Sequence, residues 1–357
     1  MRRFIKHLLA SACYYSGLMA LLSLARRLSG QTEPYMILMY HRVVEDIRSR
    51  TEYTQAGINI SLAAFEKQMA FLAKEYSVVP LGQLVAHLQQ GTPLPRRALV
   101  ITFDDGWRDN FTLAYPILKK YDLPATIFVS TDFIESAEKF WFLRVGFYLE
   151  EGKLTTAQLA DVLQELYGDN GGEQHGKTVT RDYLEWVASD HDRFMEALKE
   201  LDQKNLRRAL GELMCRSRLT DDKWPDRRWT LSWDDIRAMD PSLIEIGSHA
   251  RSHQILTQMS SAEIRRELVE SKLLIEEKTG RPVTSIAYPN GDHNEEVRRL
   301  ARETGYHCGI ATHNPEGTAL MRDIYALQRV GVHEGVSSTA TGRFSPALFA
   351  CYLRRLF

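Results

Sequence analysis

The sequence has no closely spaced cysteines, no excess of charge of either sign, and no uninterrupted apolar run long enough to cross a bilayer comfortably. Its four cysteines, Cys13, Cys215, Cys308 and Cys351, lie far apart and form no C-x-x-C pair. That pattern excludes a disulfide framework and a thiolate zinc site, so any bound metal must be held by nitrogen and oxygen. Lys and Arg number 45 against 46 for Asp and Glu. A chain so balanced does not hold a polyanion by bulk charge, which argues against nucleic acid as a partner. Internal repeats and long low-complexity segments are absent as well. At 357 residues the chain has room for one large α/β domain or two ordinary ones.

The N-terminus stands apart from this composition. Arg2, Arg3 and Lys6 precede an uncharged stretch at residues 8–24, which Arg26 and Arg27 close. The stretch falls short of the ~20 apolar residues that span a bilayer, and it contains Ser, Gly and a Tyr pair. Three readings remain open for residues 1–34. A helix lying on an anionic membrane surface, with its basic ends among the headgroups, is placed first, on the cytoplasmic face. An export signal with Ser23 and Ala25 as a small-x-small cleavage site is second. A helix packed on the domain is the third.

From Tyr35 onward, short apolar runs alternate with helical segments, the rhythm of β/α units around a mostly parallel sheet. The runs at 36–40 (M-I-L-M-Y), 99–103 (L-V-I-T-F), 125–129, 243–246 and 284–287 read as buried strands. Segments 61–75, 110–121, 260–278 and 294–304 read as helices, with Gly280 and Gly305 at helix stops. Between about 138 and 229 the rhythm gives way to polar, helical sequence with a glycine-rich break at 168–176. This predicts one domain over 35–357 that carries a helical insertion.

Chemistry concentrates where those strands end. Thr102-Phe103-Asp104-Asp105-Gly106 places two adjacent carboxylates after an apolar strand, at the carboxyl edge where parallel α/β proteins build their sites. Neighbouring residues there point in different directions, so one carboxylate can bind a metal while the other takes a proton. A lone D-D-G would be an ordinary solvated turn. A second constellation changes the reading: Gly247-Ser248-His249-Ala250-Arg251-Ser252-His253 also follows a predicted strand. His249 and His253 share a side if the segment turns helically. With Asp105 they form a two-His, one-carboxylate set that leaves coordination positions open, as catalysis requires. Zinc is the default ion for such a set, with Co²⁺ or Ni²⁺ also compatible. A third motif, Tyr288-Pro289-Asn290-Gly291-Asp292, shapes a loop able to approach a substrate. His41, directly after the first strand, is placed to protonate a leaving group with an ordinary pKa of ~6.5. His333 is its rival for that role.

With T-F-D-D-G, S-H-x-x-S-H and Y-P-N-G in this order, the sequence resembles the NodB-homology polysaccharide deacetylases, carbohydrate esterase family 4, over about residues 35–332 outside the insertion. The resemblance implies a distorted (β/α) barrel, one divalent metal on Asp105, His249 and His253, and Asp104 as general base. It implies hydrolysis of N-acetyl groups on amino sugars of a polysaccharide. Two departures matter. The family's third motif usually carries an arginine before its Pro, where this chain has Ala287 and Tyr288; Arg329, in Gln328-Arg329-Val330-Gly331, is the candidate replacement. A clear C-terminal Leu-x-His is also missing, whereas the Tyr40-His41 pair resembles the branch acting on exopolysaccharides such as poly-N-acetylglucosamine, which favours His41 over His333 as the acid. An O-acetyl esterase, another amide hydrolase and a carbohydrate-binding protein without catalysis stay open as alternatives.

Overall fold

The computed structural model describes residues 2–18, 35–47, 49, 52–152, 154–167, 173–174, 177–178, 181–219, 223–312 and 323–354. The apolar stretch beyond residue 18, with Ser23 and Ala25, and most of the glycine-rich break lie outside them. Two compact units are present. One comprises residues 1–47, 56–136 and 228–357, the other residues 48–55 and 137–227.

The first unit is a nearly closed barrel of parallel strands. Its wall consists of β1 (Tyr35–Tyr40), β2 (Ala98–Phe103), β3 (Ala125–Val129), β4 (Ile244–Ser248), β5 (Ser285–Ala287), β6 (Cys308–Ala311), β7 (Leu327–Gln328) and β8 (Val330–Gly331). Going round the wall the order is β7-β6-β5-β4-β3-β2-β1-β8, with the short strand Ser77–Val78 added beside the start of β2. Every pairing in the wall is parallel. The two ends of that order are consecutive in the chain: β7 and β8 are one extended segment interrupted at Arg329. Leu327 and Gln328 pair with β6, and Val330 and Gly331 pair with β1. One residue therefore forms the seam of the barrel.

Strand residues alternate between two apolar clusters, as the period of two requires. In β2, Leu99, Ile101 and Phe103 join one cluster, while Ala98 and Val100 join the other with Ile37, Phe128, Ala287, Ile310 and Leu327. Both faces of β2 are buried, which is why the run is continuously apolar rather than alternating. The row Ala98, Val100, Thr102 leads by the same alternation to Asp104.

Helices cover the wall and begin where their caps dictate. Ser61 caps Leu62–Glu75, Ser260 and Glu263 form a capping box on Ser261–Thr279, and Asn294 caps Glu295–Glu303. Gly280 ends its helix in the left-handed conformation. The predicted helix at 110–121 is split: a π-helical turn over Asn110–Ala114 precedes Tyr115–Lys120. At the other terminus, the helix Arg2–Tyr15 packs Ala10 against Ala347, Ala350 and Cys351 of the helix Pro346–Leu353.

The second unit holds the helices Trp141–Gly152, Thr156–Tyr167, Arg181–Ala188, His191–Lys199 and Gln203–Ser217. Its aromatic centre is Phe147 stacked on Trp224 at 4.2 Å, with Tyr53 meeting Phe147 edge-on. Residues 48–55, which carry no pattern that marks them in the sequence, belong to this unit through Tyr53.

Candidate active site

Four strand ends of the barrel supply the site. Asp104 continues the β2 ladder by donating its N–H to the Tyr40 carbonyl of β1 at 3.0 Å. The next residue, Asp105, turns out of the strand with a left-handed φ of 72°, and Gly106 repeats that conformation at 71°. A side chain at Gly106 would also meet Ile134 and Val129 at 3.0 Å, so glycine is required there on both counts. The abrupt turn is what lets two adjacent carboxylates face different partners.

Asp104 faces Arg329. One guanidinium nitrogen donates to Oδ1 at 2.7 Å and another to Oδ2 at 2.6 Å, a bidentate pair with both side chains buried. The first of these nitrogens also donates to Thr102 Oγ1 at 3.2 Å. His41 approaches from β1, its Nε2 4.0 Å from Asp104 Oδ2. Burial would raise the Asp104 carboxyl, but Arg329, His249 and His41 outweigh it and hold the group below its ordinary value. Burial pushes His41 down, against the opposing pull of Asp105 and Asp104.

Asp105 faces the two histidines. Its Oδ1 is 3.2 Å from His253 Nε2 and 3.5 Å from His249 Nε2, and the imidazole centroids are 4.9 Å apart. His249 sits on the end of β4, where its N–H pairs with the Val129 carbonyl and its Nδ1 bonds the Ala287 carbonyl of β5 at 2.7 Å. That bond makes Nδ1 the donor and turns the Nε2 lone pair toward Asp105.

The segment 249–253 does not turn helically, contrary to the reading of the H-x-x-x-H spacing. Ala250 and His253 adopt left-handed φ values of 61° and 56°, and the loop is pinned by Glu267. This carboxylate, from the helix Ser261–Thr279, accepts the N–H groups of Arg251 and Ser252 at 2.9 and 2.8 Å and the Ser252 hydroxyl at 2.8 Å. The imidazoles converge because the loop is folded back, not because of a 3.6-residue repeat.

Ligand atoms of Asp105, His249 and His253 all lie within 4.8 Å of one another. Two imidazole nitrogens and a carboxylate oxygen this close together are the donor set of a catalytic divalent-metal site, so these residues fit such an ion.

The third motif lies beside this cluster. The turn Pro289–Gly291 follows β5, and Asn290 has a left-handed φ of 59° and is exposed. Tyr288 differs from the expectation for a substrate contact. Its ring is buried, its hydroxyl donates to the Tyr325 carbonyl at 2.9 Å, and its N–H bonds Ile310. Gly309 leaves the space, since a Cβ there would lie 2.0 Å from the Tyr288 hydroxyl. His333 accepts the Gly335 N–H and caps the turn Glu334–Val336. Two residues that no sequence motif marks also belong to the site: Trp107, whose indole nitrogen donates to Asp105 Oδ2 at 2.8 Å, and Glu267. The position of Trp107 directly after D-D-G was a usable signal; Glu267, fifteen residues beyond Ser252, left none.

Comparison with known proteins agrees with this architecture. The Bacillus subtilis protein YxkH, which carries a polysaccharide deacetylase name, is 24% identical over 309 residues, covering 86% of this chain and 75% of its own. Poly-beta-1,6-N-acetyl-D-glucosamine N-deacetylase of Escherichia coli K12 is 29% identical over 92 residues, 26% of this chain and only 13% of that enzyme. In fold, the chain is similar to the Streptococcus pyogenes deacetylase PplD solved with acetate, with a TM-score of 0.55 and 18% identity over 89% of this chain and 97% of the other. Residues 91–309, more than half of the sequence and spanning all three motifs, match the polysaccharide deacetylase family, and the chain therefore belongs to that family of hydrolases acting on carbon-nitrogen bonds.

Proposed function

We propose that the chain is a metal-dependent enzyme that removes N-acetyl groups from glucosamine-type residues of a polysaccharide. The observation that carries this reading is the pairing of Asp104 with Arg329 next to the Asp105, His249 and His253 cluster, with His41 on the same carboxylate. The substrate class is supported by the partial similarity to poly-beta-1,6-N-acetyl-D-glucosamine deacetylase.

An acetamide is a poor electrophile, so its hydrolysis needs an activated water, a stabilised oxyanion and a proton for the departing nitrogen. A divalent cation, zinc by default and cobalt or nickel as alternatives, would sit on Asp105, His249 and His253, where it lowers the pKa of water from 15.7 to about 7 and polarises the acetyl carbonyl. Asp104 takes the proton of the attacking water. Arg329 keeps that carboxylate ionised and fixes both of its oxygens. His41 gives its proton to the amine as the bond breaks, and its burial makes the protonated ring the stronger acid. The turn Pro289–Gly291, with Asn290 outward, provides the substrate-side wall.

The same reading places the enzyme at an anionic membrane surface. Residues 1–34 carry five basic side chains, Arg2, Arg3, Lys6, Arg26 and Arg27, against one acidic, Glu33. On the helix Arg2–Tyr15 the stripe Phe4, Ile5, Leu8 and Leu9 is about half exposed while Ala10 is covered. No helix among the described residues is long and apolar enough to cross a membrane. Polymers of the kind named for the relatives are met outside the cytoplasm, which favours the exported side over the cytoplasmic face.

Acetate release from N-acetylglucosamine oligomers tests the catalytic reading directly. Release that a chelator stops and zinc, cobalt or nickel restores is the expected result. A protein that releases acetate equally well after exhaustive chelation overturns the metal mechanism, and a metal-loaded protein inert on all such oligomers overturns the substrate class.

A further inference from the structure

We infer that Trp107 is a positioning residue that selects which oxygen of Asp105 faces the two histidines, and that it does so through a clamp shared with the His41 strand end. The inference rests on the metal-site reading above.

A carboxylate between two imidazoles has a choice. It can offer one oxygen and keep coordination positions open, or offer both and fill one of them. Here the choice is made by the indole. Trp107 Nε1 donates to Asp105 Oδ2 at 2.8 Å, while Oδ1 is the oxygen 3.2 and 3.5 Å from the imidazole nitrogens. Oδ2 is thereby tied on the far side of the carboxylate.

The indole itself cannot swing away. It is fully buried, and its backbone forms a bridge with Thr230. The flanking residues are bonded to the same segment: Leu231 donates to the Gly106 carbonyl and Arg108 to the Trp229 carbonyl, both at 2.9 Å. The Arg42 guanidinium lies 4.6 Å from the centre of the ring. Arg42 is held by Asp109 through two contacts of 2.9 Å, and the second Asp109 oxygen accepts the Val43 N–H at 3.0 Å. Asn110 completes the clamp by donating to the His41 carbonyl at 2.8 Å. The same group of side chains thus fixes the backbone that carries His41 and the carboxylate of Asp105.

Partners of metal ligands at this remove typically contribute 10- to 100-fold in metal affinity. Trp107→Phe keeps most of the ring volume and removes the N–H. Zinc affinity is measured by competition with a chromophoric chelator, the visible spectrum of the cobalt-loaded protein is recorded, and the melting temperature of the metal-free protein is followed alongside. The expected result is zinc affinity lower by roughly 10- to 100-fold, weaker cobalt absorption as the freed carboxylate adds its second oxygen, and little change in the metal-free melt. Unchanged affinity and spectrum, with only an earlier melt, overturns the inference and leaves Trp107 a packing residue. If Trp107→Phe does not fold, Arg42→Lys, which keeps the charge but loses the planar contact with the ring, is expected to shift affinity in the same direction, and wild-type affinity in that variant overturns the inference. A wild-type protein that binds none of the three metals refutes the metal reading itself, which is distinguishable from failure of the variant alone.

Discussion

Asp104 is buried, and burial alone would make it a poor base by favouring its neutral form. Arg329 reverses that, and the consequence can be read in pH. Removing the guanidinium leaves the desolvation in place, so the Asp104 pKa must rise. In the proposed role Asp104 acts only when ionised, above its pKa, so the acidic limb of the rate profile must move to higher pH. Arg329→Gln is therefore expected to move that limb upward in kcat/KM, with activity partly recovered at alkaline pH. Measurements belong well below the melting temperature, since breaking a buried pair costs about 3–5 kcal/mol. An acidic limb that stays in place would show that Asp104 does not depend on Arg329 for its charge. Asp104→Asn is expected to lower turnover by roughly 10²- to 10⁴-fold, the usual contribution of a general base, with metal content unchanged. Near-normal turnover in that variant, from rapid-quench acetate assays, removes Asp104 from the base role. The carboxylate pair and the two histidines were legible because two motifs that are ordinary singly occur together, each directly after a predicted strand. Trp107 was marked only by its place directly after D-D-G, because its N–H has no signature in sequence.

At the scale of elements, β1 to β5 could be found from apolar runs, while β6, β7 and β8 could not. Two-residue strands carry no periodicity, and β7 and β8 exist only because the barrel brings β6 and β1 to opposite edges of one segment. Arg329 was legible as a spare guanidinium, but its place at the seam follows from closure of the wall. The H-x-x-x-H spacing was misleading in detail for a related reason. The spacing implies helical geometry where long-range hydrogen bonds to Glu267 dictate a folded-back loop. The dependence can be tested through Glu267→Ala. It leaves two backbone N–H groups and the Ser252 hydroxyl without their acceptor, at about 1–3 kcal/mol for each buried group so stranded. Loss of zinc affinity in a variant whose barrel remains folded by circular dichroism is the expected outcome. Wild-type zinc affinity after the loss of Glu267 would mean that the loop holds its shape through its other bonds, to Ser248 and Ser130 and from the Thr131 and Asp132 N–H groups.

For the molecule as a whole, the site and the helix Arg2–Tyr15 are carried by the same unit, but the side chains named for the site are not those that pack on that helix among the described residues. Asp105, His249 and His253 depend on the strand ends, whereas the helix Arg2–Tyr15 packs in a separate cluster with Ala347, Leu348, Ala350 and Cys351 of the helix Pro346–Leu353 and with Phe71. Removing residues 1–34 should therefore leave acetate release from soluble oligomers close to wild type while abolishing attachment to anionic vesicles. Each basic residue near such a surface contributes about 1 kcal/mol, so the attachment should weaken steeply with salt. The apolar stripe makes a separate demand. Leu8→Glu with Leu9→Glu keeps all five basic residues, and in cosedimentation with phosphatidylserine vesicles it should bind far less than wild type, because a charge in place of a buried CH₂ chain forfeits about 0.8 kcal/mol per CH₂ and repels the lipid. Binding that survives both the deletion and the double substitution would assign the helix to packing alone. Equal binding to neutral and anionic vesicles would remove the charge argument while leaving the apolar stripe as the contact.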